Sequence, residues 1–125
     1  MSKWILVEDV LAWKGDVYQV TDNVRDEIVA KLCNKVIVDG DTDTHSLVDA
    51  IGIIKSATLQ DGAIYVDAII NTEKHAQVKT TIQMLKKKHL RVYVDIQGKL
   101  TESDEGTPIV SQIVGIKRVW IGESK

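Results

Sequence analysis

Apolar residues in this chain fall into short clusters separated by polar breaks, and the spacing inside each cluster predicts its element. Trp4-Ile5-Leu6-Val7 opens a run toward Val10-Leu11 that reads as a strand. Lys14-Gly15-Asp16 reads as a turn, and Val17 to Val20 as a short return strand. Thr21-Asp22-Asn23 offers side-chain oxygens for a helix N-cap. Val24, Ile28, Val29 and Leu32 then recur at helical spacing, so a first helix is expected to reach Leu32 or Cys33. Cys33 falls within that apolar helical pattern and reads as a buried small hydrophobe. Val36-Ile37-Val38 predicts a short buried strand, followed by a polar acidic loop from Asp39 to Thr44.

Leu47 to Ala57 and Ala63 to Ile70 read as two strands of a hairpin. Asp61-Gly62 supplies the turn, because both residue types tolerate positive φ. Asn71-Thr72 is a cap for a second helix, whose buried face is Val78, Ile82 and Leu85 and which extends to Lys88. Leu90 to Ile96 predicts the next strand, closed by Gln97-Gly98. Thr101 to Gly106 is polar and reads as a hairpin tip. Ile109 to Trp120 predicts a long last strand, softened at Gly115. Strands and helices do not alternate regularly, which argues against a doubly wound parallel sheet. The expectation is an α+β fold in one domain over residues 1–125: a compact, mostly antiparallel, barrel-like sheet of roughly six or seven strands with two flanking helices.

Composition narrows the class. The 125 residues are 44% hydrophobic and 27% charged, as in ordinary globular domains. A formal net charge of −2 leaves no basic surface of the size that neutralises a phosphate backbone, so no nucleic-acid partner is expected. Lys86-Lys87-Lys88-His89 sits where cations complement a helix C-terminus. Cys33 is the one cysteine, which rules out an internal disulfide and a cysteine-based zinc cluster. No apolar run reaches the roughly 18 residues of a membrane span, and Met1-Ser2-Lys3-Trp4 lacks a signal-peptide core. The expectation is therefore synthesis in a reducing cytoplasm, with no membrane partner and no cofactor. With three Trp, three Tyr and no Phe, the core is built mainly from Val, Ile and Leu.

Candidate chemistry is sparse. His45 is a candidate base, but Ser46 beside it points to the opposite face of an extended segment. Ser111 on the last strand is a candidate displaced nucleophile, ahead of Ser56 and Ser103, with Asp67 or Asp95 as orienting carboxylate. Asp39, Asp41 and Asp43 alternate like the start of a calcium loop. The sixth and twelfth positions of that loop are Thr44 and Ala50 instead of glycine and a carboxylate, leaving only a non-standard divalent-ion site open. Trp4, Trp13 and Trp120 are candidate contact anchors.

The order of these elements resembles the tailed-phage prohead proteases, which share the fold of herpesvirus assemblin. His45 and Gly52 match the catalytic histidine and the glycine that follows it. Asp61-Gly62-Ala63-Ile64-Tyr65-Val66 matches the turn and strand, Thr72 to Lys88 the helix, and Val114 to Trp120 the closing strand, so the likeness spans residues 17–122. The family carries its serine nucleophile on the strand after the second helix. Here those positions are Tyr93 and Val94, and no register between Leu90 and Ile96 supplies Ser, Thr or Cys. A histidine base with nothing to deprotonate cannot run acyl transfer. The resemblance implies a prohead-protease-like scaffold used as a non-catalytic structural or assembly protein of a virion, assembled in the host cytoplasm. Its implied partners are other virion proteins and further copies of itself. The alternatives are an active maturation protease using a displaced serine, and a small divalent-metal module.

Overall fold

The computed structural model describes residues 4–14, 19–39, 50–73, 78–102, 106 and 108–124. In chain order the elements are β1 (Trp4–Trp13), β2 (Gln19–Val20), α1 (Asp22–Leu32), β3 (Val36–Asp39), β4 (Ala50–Gln60), β5 (Ala63–Asn71), α2 (Val78–Lys86), β6 (Leu90–Glu102) and β7 (Pro108–Glu123). The seven strands form one sheet, running β1-β5-β4-β3-β7 with β2 also on β7 and β6 on its other edge. Only β2 and β3 lie parallel to β7; the remaining pairs are antiparallel. The sheet curls into a half-barrel carrying two helices, the α+β architecture that the apolar pattern predicts.

Local chemistry accounts for the joints. Asp61 and Gly62 both adopt positive φ, 52° and 82°, and close a two-residue hairpin with Gln60 opposite Ala63. Of the three candidate caps, Thr21 caps α1, its hydroxyl accepting from the Val24 amide at 3.3 Å. The Thr21 amide donates to the Val110 carbonyl at 3.2 Å, which ties the helix entrance to β7. At the end of α2, Lys88 takes a left-handed φ of 65° and the His89 amide returns to the Met84 carbonyl at 2.9 Å.

Curvature comes from bulges. β1 and β4 each carry one extra residue opposite Asp67 of β5, and β7 carries extra residues at Ser111, Val114 and Lys117 against β6. Each extra residue bends its strand and sharpens the local twist. One hydrophobic core results. It joins Val24, Ile28 and Leu32 of α1 and Val78, Ile82 and Leu85 of α2 to Ile37, Ile51, Ile54, Ile64, Ile70, Val92 and Ile121 of the sheet. Gly52 is required at its position, since a Cβ there would lie 2.7 Å from the Ile69 carbonyl oxygen.

Several expectations need correction. Cys33 is exposed and not buried, because α1 ends at Leu32 and the next residue leaves the helical face. The return strand at Val17–Val20 is, within the described residues, Gln19–Val20, and it pairs in parallel with β7 instead of folding back on β1. The second helix covers Val78–Lys86, while Asn71 accepts from the Glu73 amide at 2.9 Å in a separate turn. β6 runs through Gln97-Gly98 to Glu102, and β7 runs through Gly115 to Glu123.

Candidate functional site

β6 is the strand on which the resemblance places a nucleophile, and alternation sorts its side chains. Leu90, Val92, Val94 and Ile96 join the core. Arg91, Tyr93 and Asp95 therefore share the opposite face, and the ladder places them across from Gly122, Trp120 and Arg118 of β7. Three consecutive cross-strand pairs thus converge on one outer face.

That face is filled by a connected set of contacts. The Tyr93 and Trp120 rings stack with centroids 4.4 Å apart and planes inclined by 16°. Gly122 makes room for the stack, since a Cβ there would lie 2.6 Å from Cζ3 of Trp120. Asp95 Oδ2 accepts from Trp120 Nε1 at 3.2 Å and from Arg118 Nε at 2.6 Å. At the other end the Arg91 guanidinium lies over the Tyr93 ring, 4.2 Å from its centroid. The Tyr93 hydroxyl donates to the Glu123 carbonyl oxygen. Arg91 is 2% exposed, an uncommon burial for a cation on the outer face of a sheet.

Energetically the face is a clasp. An aromatic pair of this geometry contributes about 0.5–1.5 kcal/mol beyond its area. The Asp95–Arg118 pair keeps 36% and 22% side-chain exposure, so solvent screening holds its share to about 1 kcal/mol or less. Among the described residues this face presents no acyl-transfer set. Acyl transfer needs an activated hydroxyl or thiol, a base beside it and amide donors for the oxyanion. Between Leu90 and Ile96 the one hydroxyl is that of Tyr93, whose proton points at a backbone carbonyl.

The other candidates separate in space. His45, Asp41 and Asp43 lie outside the described residues, and Asp39 ends β3 with its backbone opposite Ile121. Among the described residues no three His, Cys, Asp or Glu side chains are grouped to hold a metal ion. Ser111 is exposed on a β7 bulge. It is nine residues along the strand from Trp120, roughly 25–30 Å at the rise of a strand. Ser56 and Asp67 do meet, with the hydroxyl donating to Oδ2 at 3.0 Å. The other oxygen of Asp67 accepts from the bulged Asp9 amide at 3.1 Å, so this carboxylate fastens backbone.

The three tryptophans also differ. Trp4 is 40% exposed beside exposed Ile5 and Leu6. Trp13 packs against the core, with the Arg25 guanidinium 6.0 Å from its ring centroid. Trp120 belongs to the β6–β7 clasp. Sequence reasoning missed the clasp and the burial of Arg91. The available signal was the residue-skipping order Arg91, Tyr93, Asp95 facing Arg118, Trp120, which alternation would have paired.

No helix among the described residues is long and apolar enough to cross a membrane. No protein-family profile matches this sequence, and no curated protein matches it. Among solved structures, the chain is similar to the capsid assembly protease gp21 of bacteriophage T4, with a TM-score of 0.51 and 16% identity over 94% of this chain and 80% of that one. At that identity the likeness establishes architecture: this half-barrel has a prohead-protease-like fold.

Proposed function

We propose that this chain is a non-catalytic structural or assembly protein of a tailed-phage virion, built on the prohead-protease-like scaffold. The observation that carries the reading is the occupancy of β6. Where the resemblance puts a serine, Tyr93 is stacked on Trp120 and hydrogen-bonded to backbone. A face closed by a ring stack and an ion pair suits rigidity better than entry of a substrate carbonyl. The similarity to a capsid assembly protease supports a capsid-related role. Exposed Trp4, Ile5 and Leu6, three successive residues on an end strand of the sheet, support contact with other virion proteins or further copies of this chain. Three in a row expose apolar surface on both faces of the strand at once.

The test is direct. The purified chain is incubated with a fluorophosphonate and with a capsid-precursor peptide, alongside His45→Ala and Ser111→Ala. The expected result is no covalent adduct and no cleavage in any of the three. An adduct or cleavage lost in both variants would establish the displaced-serine protease instead. Light scattering after size exclusion, with Trp4→Ser as comparison, tests the assembly half: the wild-type chain is expected to self-associate and the variant to shift toward monomer. A monomer in both, with no co-assembly into particles, refutes it.

A further inference from the structure

The two end strands of the sheet, β1 and β6, approach one another without pairing in the ladder, and α2 spans the seam. A cavity of about 300 Å³ opens there. Val10, Leu11, Leu85 and Leu90 give it apolar walls. Its polar lining consists of Arg91, Lys88 and the hydroxyl residues Tyr65 and Ser124, with no carboxylate among the described residues that line it.

We propose that this seam pocket binds a small organic anion: a carboxylate carried on an apolar body. Three observations converge on that chemistry. The first is sign, since both charged residues lining the cavity are cationic and the remaining polar ones are hydroxyls. The second is preorganisation. Arg91 is held by the Tyr93 ring at 4.2 Å and by its Nε donating to the Val92 carbonyl at 3.2 Å, so little ordering is lost when a ligand arrives. Lys88 is fixed too, donating to the Asp9 carbonyl at 2.6 Å, and an ammonium has two further donors on the same nitrogen. The third is size. At about 30 Å³ per water-sized volume, the cavity takes roughly ten non-hydrogen atoms, the size of octanoate or of a leucine with a free C-terminal carboxylate. Apolar walls bury the body, and a charge-assisted hydrogen bond in a partly dry site is stronger than one in water. The pocket is separate from the Asp95 end of the clasp and does not depend on whether the chain is catalytic.

Octanoate, octanamide and N-acetyl-leucine are titrated into the isotope-labelled full chain while backbone amide shifts are followed. Octanoate is expected to move the amides of Leu11, Leu85, Leu90 and Ser124. Octanamide, of equal length but uncharged, is expected to bind about tenfold more weakly. Tighter binding of N-acetyl-leucine than of octanoate assigns the natural anion to a polypeptide C-terminus, and the reverse order to a free aliphatic acid. Lys88→Met removes an exposed cation and is expected to weaken octanoate several-fold with the spectrum otherwise preserved. Arg91→Met is expected to abolish binding; if that chain does not fold, Lys88→Met and the octanamide comparison decide alone. Equal affinity for octanoate and octanamide, shifts outside the seam, no shifts at millimolar ligand, or a Lys88→Met chain that binds as tightly as wild type overturns the proposal.

Discussion

Asp67 is the residue whose removal most cleanly tests how this sheet is bent. It lies on β5 where both neighbouring strands carry an extra residue: Val7 pairs with Ala68 and Val10 with Val66 on one side, and Ile54 pairs with Ala68 and Ser56 with Asp67 on the other. Bulges leave backbone groups outside the ladder, and Asp9 pays in addition with a left-handed φ of 56°. One carboxylate serves both sides, accepting from the Asp9 amide at 3.1 Å and from the Ser56 hydroxyl at 3.0 Å. A hydrogen bond to a charged group contributes about 1.5–3 kcal/mol when buried. The Asp9 contact is exposed and the Ser56 contact half-buried, so the sum for Asp67→Ala falls to about 2 kcal/mol. With an unfolding entropy of about 2.1 cal/mol/K per residue, that lowers Tm by about 8 °C. Asp67→Asn keeps an acceptor for the Asp9 amide and turns its NH2 toward a hydroxyl that rotates to accept, so it costs about 1 kcal/mol. Urea and thermal denaturation followed by circular dichroism measure both, and a cycle with Ser56→Ala isolates their coupling, expected at about 1 kcal/mol. An Asp67→Ala chain within about 0.5 kcal/mol of wild type, strictly additive with Ser56→Ala, would show that the bulges need no fastening.

Gly52→Ala drives a methyl to within 2.7 Å of the Ile69 carbonyl oxygen and is expected to cost about 1–3 kcal/mol, read as a lower Tm; an unchanged Tm would mean the strands separate freely. Asp95→Ala releases both the Trp120 indole and the Arg118 guanidinium. Tryptophan emission is expected to shift to the red with a loss of about 1 kcal/mol, and a Trp120→Phe background is expected to abolish the shift. Cys33 is expected to react with a disulfide reagent in the folded protein as fast as in urea, and protection without denaturant would contradict its exposure.

What could be read from the sequence was whatever local chemistry settles. Asp61-Gly62 folds as a tight hairpin because both residues reach positive φ, and Val78, Ile82 and Leu85 share a face because a helix puts them there. Burial set by distant contacts was not readable. Alternation puts Arg91 on the outward face, where a cation is expected to be wet, yet the cover supplied by its neighbours leaves it 2% exposed. Cys33 follows Leu32 closely enough to look like core, but its side chain leaves with the turning backbone, and its thiol donates to the Lys55 carbonyl at 3.3 Å. The candidate site divides the same way. Alternation and the order of elements point to β6 and leave it without a serine, whereas the partners of Tyr93 and Asp95 depend on a register that only the ladder supplies.

β7 shows why that register was hidden. A regular strand turns every second residue inward, yet among the described side chains of β7 those that meet the core are Val110, Ile116, Val119 and Ile121. The ladder omits Ser111, Val114 and Lys117, so inward-facing Ile116 and Val119 stand three residues apart across a bulge, while Val119 and Ile121 stand two apart in the regular part. A spacing of three in an apolar run is ambiguous between strand and helix, and a count of periods cannot locate the bulges. The change of spacing also divides the strand by role. Its bulged part bends against the distal half of β6, while the regular part from Arg118 to Glu123 stays in step with Leu90 to Asp95. Only an unbulged ladder keeps three successive pairs on one face, which is what the stack and the ion pair require. An extra residue between Arg118 and Trp120 would turn one of the two to the other side and leave Asp95 with one partner instead of two. The scaffold can therefore vary its curvature in the bulged segment without disturbing the stack and ion pair on the outer face.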